Sequence, residues 1–137
     1  MQKDKLLSAA LLQIFKSWDI LYDDCQINVP RTFDPRNNSL SRDRYWLVEA
    51  GGEDYSDYKI ARFDLYASGY YADGNTYYTA LWKIPRWIKK EVWKICRMGD
   101  FDIYSMTCSP PRFVRQLNDS RQLRAVTITI KYNERSD

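Results

Sequence analysis

From Arg124 to Tyr132 the chain alternates with a period of two. Val126, Ile128, Ile130 and Tyr132 fall on one side, and Ala125, Thr127, Thr129 and Lys131 fall on the other. Successive side chains of a β-strand point to opposite faces, so this pattern predicts a strand with one face on a core and one toward polar surroundings. Lys59–Tyr70 repeats it, with Ala61, Phe63, Leu65 and Ala67 against Arg62, Asp64, Tyr66 and Ser68. These two segments commit the chain to a sheet.

Helical spacing predicts what packs on that sheet. Leu7, Leu11, Ile14, Phe15 and Trp18 recur on one stripe, which gives a first helix over Asp4–Trp18 with Asp4 as its cap or first-turn acid. A single apolar stripe means that this helix lies on something. Cys25–Val29 reads as a short strand closed by Pro30, and residues 31–43 as a long polar loop. Tyr45–Ala50 reads as a strand ended by Gly51-Gly52, followed by an acidic turn over Glu53–Asp57. Ala72-Asp73-Gly74-Asn75 is a hairpin signal, and Thr76–Ile84 is rich in β-formers, so a strand there competes with one helix from about Thr76 to Met98. Phase favours the helix. Leu81, Ile84, Ile88, Val92 and Ile95 share one face, Lys83, Arg86, Lys90, Lys94 and Arg97 share the opposite one, and neither stripe slips at Pro85. Gly99 would then cap it. Phe101–Thr107 reads as a strand, Ser109-Pro110-Pro111 as a break, Arg112–Leu117 as a short strand or extended arm, and Asn118-Asp119-Ser120 as a turn. The expected fold is a single α+β domain over residues 1–137: a mostly antiparallel β-sheet packed by an N-terminal helix and one long central helix.

The chemistry is bounded by an absence. The 137 residues include no histidine, but 11 Tyr, 5 Trp and 5 Phe. Histidine is the commonest general base and metal ligand, so the usual triads and most metal sites are excluded. No Gly-rich phosphate loop, nucleophile elbow or zincin motif occurs, and glycine is scarce at 5 residues. The expectation is a non-enzyme without cofactor or metal. Cys25, Cys96 and Cys108 are odd in number and form no CxxC pair, which fits free thiols in a reducing compartment. Glu53, Asp54 and Asp57 lack calcium-loop spacing and read as a solvated turn. No segment approaches the roughly 18 apolar residues of a membrane helix, and the N-terminal Leu-rich stretch reads as an amphipathic helix rather than a signal peptide. The net charge of +3 is mild. The row Lys83, Arg86, Lys90, Lys94 and Arg97, flanked by Trp82, Trp87 and Trp93, reads either as the solvated side of an amphipathic helix or as a nucleic-acid footprint.

The order of elements resembles the tail-terminator and tail-completion (head–tail joining) proteins of tailed bacteriophages. The resemblance is carried by the helix Leu6–Trp18, the polar loop before Tyr45–Ala50, the strand Lys59–Tyr70 and the helix through Trp93. The closing run adds to it, with Pro111-Arg112-Phe113-Val114, a polar turn, then Leu123 to Ile130. It implies a structural virion protein of the tail, assembled in the host cytoplasm. Copies would form a hexameric ring at the head-proximal end of the tail tube and contact the tube protein and the head connector. DNA would pass through the lumen without sequence-specific binding, and no membrane would be involved. Candidate interface residues are then Arg31, Phe33, Arg36 and Arg42 of the loop, with Tyr70, Tyr71, Trp82, Trp93 and Arg112. A head-to-tail ring needs two different patches on each copy. The alternative is a small nucleic-acid-binding or host-machinery-modulating phage protein that uses the basic helix face.

Overall fold

The computed structural model describes residues 3–18, 44–70, 76–91, 97–117 and 120–134. The elements are α1 (Lys3–Trp18), β1 (Arg44–Asp54), β2 (Lys59–Tyr70), α2 (Thr76–Glu91), β3 (Arg97–Met98), β4 (Phe101–Cys108), β5 (Arg112–Gln116) and β6 (Arg121–Glu134). All six strands join one sheet in the order β1-β2-β6-β4-β3, with β5 also paired to β6.

The strand that alternates most strictly is the centre of that sheet. β6 is 14 residues long. Along one edge it pairs antiparallel with the whole of β2, from Lys59 opposite Tyr132 to Tyr70 opposite Arg121. Its other edge is shared: β4 covers residues 128–134 and β5 covers residues 122–125. The step between them is Ser109-Pro110-Pro111. Ser109 still exchanges bonds with Thr127, donating its N–H to the Thr127 carbonyl and accepting the Thr127 N–H on its hydroxyl, both at 2.9 Å. The prolines have no N–H to continue the ladder, so the chain leaves β4 there and rejoins as β5.

The even-numbered face of β6 carries the main core. Val126, Ile128, Ile130 and Tyr132 pack with Ala61, Phe63, Leu65 and Ala67 of β2, Tyr45 and Leu47 of β1, and Phe101, Ile103 and Met106 of β4. Both helices close this face, α1 through Leu7, Leu11 and Phe15, and α2 through Leu81, Ile84 and Ile88. Each such side chain contributes about 1.5–3 kcal/mol by leaving water. Tyr78 pins α2 in place. Its hydroxyl lies against the carbonyl oxygens of Gly69 and Gln122, at 2.8 Å from the latter. The Arg124 guanidinium sits 4.7 Å above its ring.

Three expectations are corrected. The chain is β-rich, and among the described residues there is no long central helix. The helix at Thr76 forms and carries Pro85 inside it, but α2 is 16 residues long and Arg97–Met98 are extended. These two residues pair with Asp102 and Phe101 around a tight turn in which Gly99 has φ 57°. Gly99 thus serves a hairpin instead of a helix cap. The helical phase of Arg97 is overridden by tertiary pairing with β4, where Met98 and Phe101 are both buried. Third, β1 does not end at Ala50. Ala50 and Gly51 together oppose Arg62, a bulge that lets the strand run on to Asp54. Gly51 adopts φ 99°, and a side chain on Gly52 would collide with the Ile60 carbonyl oxygen. The turn shrinks to residues 55–58, closed by the Tyr55 N–H on the Tyr58 carbonyl at 2.9 Å.

Candidate assembly edges and a cationic helix face

The edge formed by β4 and β5 carries two large exposed aromatics. Tyr104 is the extra residue of a bulge between the pairs Ile103–Tyr132 and Ser105–Lys131, and it is 55% exposed. Phe113 of β5 is 56% exposed. Among the described residues β4 is flanked on this side only at Phe101 and Asp102, by β3, and β5 has no outer neighbour. At the far side of the sheet, β1 is likewise the last strand among the described residues. The outer strands of a sheet are where another strand can add by main-chain hydrogen bonds.

The sheet face away from the helices is divided. One part is apolar, with Trp46, Tyr66, Leu117, Leu123 and Ala125 packed together and Val48 and Val114 beside them. The other part is a polar ladder set by register. Asp64 faces Thr127 across the β2–β6 pair. Thr127 donates its hydroxyl to Asp64 Oδ1 at 2.6 Å and accepts Arg112 Nη1 at 2.8 Å. Arg112 Nη2 lies 3.4 Å from Asp64 Oδ2, and the Tyr66 hydroxyl donates to the same oxygen at 3.4 Å. Asp64 is only 15% exposed, and both of its oxygens are held by these donors. Burial first, and the Asp64 charge second, raise the Tyr66 hydroxyl above its ordinary pKa, with Arg112 pulling it down. Further along, Arg62 grips both oxygens of Glu53 at 2.9 and 2.8 Å. Lys131 lies 4.0 Å from the Tyr58 ring centre. A cleft of about 310 Å³ opens at the β1 bulge, lined by Glu49, Gly51, Gly52, Asp54, Arg62 and Tyr132 among others.

The outer face of α2 is cationic. Trp82, Lys83, Arg86, Lys89 and Lys90 are all exposed, Trp82 at 55%. Lys90 lies 5.7 Å from the Trp87 ring centre. The five-cation row expected on one helix is therefore recomposed. Lys83, Arg86 and Lys90 stand on α2, Arg97 is exposed on β3, and Lys94 falls outside the described residues. Lys89, which lies outside the Lys83, Arg86 and Lys90 row, joins the face. At about 3.6 residues per turn it projects beside Trp82 and Arg86, so a full helical wheel shows it.

Of the interface candidates, Trp82 is free to meet a partner, whereas Arg112 is engaged with Asp64 and Thr127 on the opposite side of the sheet from α2. Tyr70 ends β2, and its side chain is outside the described set. Arg31, Phe33, Arg36, Arg42, Tyr71 and Trp93 also lie outside the described residues, as do the Cys25–Val29 strand and the polar loop. Sequence reasoning missed the tie between Asp64, Thr127 and Arg112, which only the strand register brings together. Cys108, on the helix-covered side, is a free thiol that burial pushes up to about 12. Among the described residues no group of three or more His, Cys, Asp or Glu is placed to hold a metal, and no helix is long and apolar enough to cross a membrane.

Comparison with protein-family models and with curated proteins finds no match to this chain.

Proposed function

We propose that the chain is a non-enzymatic structural subunit that joins copies of itself edge to edge. Within that class, its element order supports a tail terminator or tail-completion protein, ringing the head-proximal end of a phage tail tube and meeting the head connector. The observation that carries the reading is that, among the described residues, the sheet ends in two strands of different character: β1 on one side, and β4–β5 with the exposed Tyr104 and Phe113 on the other. Two unlike edges favour a head-to-tail contact, and such a contact closes into a ring when the rotation between copies permits. Exposed aromatics at an edge are typical anchors of such contacts.

The test is to replace Tyr104 and Phe113 by Asp and follow assembly by light scattering and negative-stain imaging with purified tail tubes. Both side chains face solvent in the single chain, so the variant should keep its fold. A charge at an edge strand should block pairing and weaken assembly by about 30-fold or more. Assembly at wild-type strength in the double variant would refute this use of the edge.

A further inference from the structure

We propose that the outer face of α2 is a nucleic-acid-binding surface, with Lys83, Arg86, Lys89 and Lys90 on the phosphates and Trp82 stacked on an unpaired base. This goes beyond the ring reading and does not depend on it. Three observations carry it. First, the five side chains share one exposed arc of α2, spanning about 12 Å along its axis from residue 82 to residue 90. Second, the helix sequence TYYTALWKIPRWIKKE has no acid before its final Glu91, so no carboxylate of α2 itself interrupts the cations of the arc. Third, Trp82 is left 55% exposed at the N-terminal end of that arc, one turn from Arg86 and two from Lys89.

Charge alone would suit any polyanion, and the other two features narrow the choice. A basic amphipathic helix that binds a lipid surface inserts its apolar face. Here that face, Leu81, Ile84 and Ile88, is buried against the sheet, which leaves Trp82 as the one exposed large apolar side chain of the described part of α2. A flat indole among cations matches the stacking platforms that bind single strands, where bases offer π-faces and phosphates run alongside. An acidic protein offers carboxylates but no such stacking partner.

The experiment measures binding of a fluorescent oligothymidylate of about 20 nucleotides by anisotropy, at salt from about 50 to 200 mM. The expected result is binding that falls steeply with salt. Trp82→Ala should weaken it by about 5- to 100-fold. Lys83→Glu with Lys90→Glu should weaken it at least as much and flatten the salt slope by about 0.7 per lost phosphate contact. A duplex of equal length should bind more weakly and lose its sensitivity to Trp82→Ala. Unchanged circular dichroism and melting would establish that each variant is folded, and assembly with tail tubes is scored separately. No binding by the wild-type protein at the lowest salt would overturn the proposal. So would binding indifferent to both sets of substitutions, or full competition by polyglutamate or phosphatidylserine vesicles at equal charge.

Discussion

The two faces of the sheet are built from the same strands and do different work. On the even side of β6, Val126, Ile128, Ile130 and Tyr132 meet two helices and make one continuous core. On the odd side, Leu123 and Ala125 belong to a small aromatic cluster, and Thr127 continues into a ladder of hydroxyl, carboxylate and guanidinium groups. Stability on the first face comes from area removed from water, which is non-directional. On the second, beside that small cluster, it comes from a few pairs whose geometry depends on register, and there a one-residue slip would break every pair at once. The helix-covered face therefore holds the fold together, and the other fixes how the strands align and what their edges present.

The sharpest break of this contrast is Phe63→Ala. Phe63 is 1% exposed beneath the helices, and its truncation should cost about 3–5 kcal/mol in urea unfolding. On the other face, Asp64→Ala leaves the Thr127 and Arg112 donors without their acceptor and should cost about 1–3 kcal/mol. Adding Thr127→Val should recover part of that loss, as a register-dependent pair requires and an area-driven core does not. Alkaline titration probes the helix-covered side again. Cys108 holds its proton to about 12 in the folded chain against an ordinary 9.0. Its contribution is fully present below pH 9 and is lost as pH rises toward 12. Wild type should therefore lose stability relative to Cys108→Ala across that window, on the order of 1 kcal/mol at about pH 10. The smallest effect is expected from Arg62→Ala. It removes the ion pair with Glu53, whose side chains are 35% and 41% exposed, and should change stability by less than about 1 kcal/mol and less still in high salt.

The contrast between the faces could be read from the sequence because its signal is local. The alternation at Lys59–Tyr70 gives the bounds of β2, and the alternation through Arg124–Tyr132 gives the centre of β6. The failures have a common cause, since each depends on partners far along the chain. Gly51-Gly52 reads as a strand terminator by propensity, and only pairing with β2 turns it into a bulge. Val92 and Ile95 continue the helical phase, and only the hairpin onto β4 makes Arg97 and Met98 extended. Asp64 and Thr127 are 63 residues apart, and nothing near either residue announces the bond. The cationic face lay between these cases. Lys83, Arg86 and Lys90 follow from helical spacing, but Lys89 and the exposure of Trp82 depend on how α2 is rotated against the sheet.

The measurement that bears most directly on the proposed function is the mass of the unmodified protein in solution across a concentration series, alone and with purified tail tubes. The chain weighs 16.4 kDa. Edge-to-edge ring assembly requires one discrete closed multiple of that mass, a hexamer on the phage-tail reading, either free or capping one end of the tubes. A protein that stays at the single-chain mass at every concentration and never associates with tubes would contradict it.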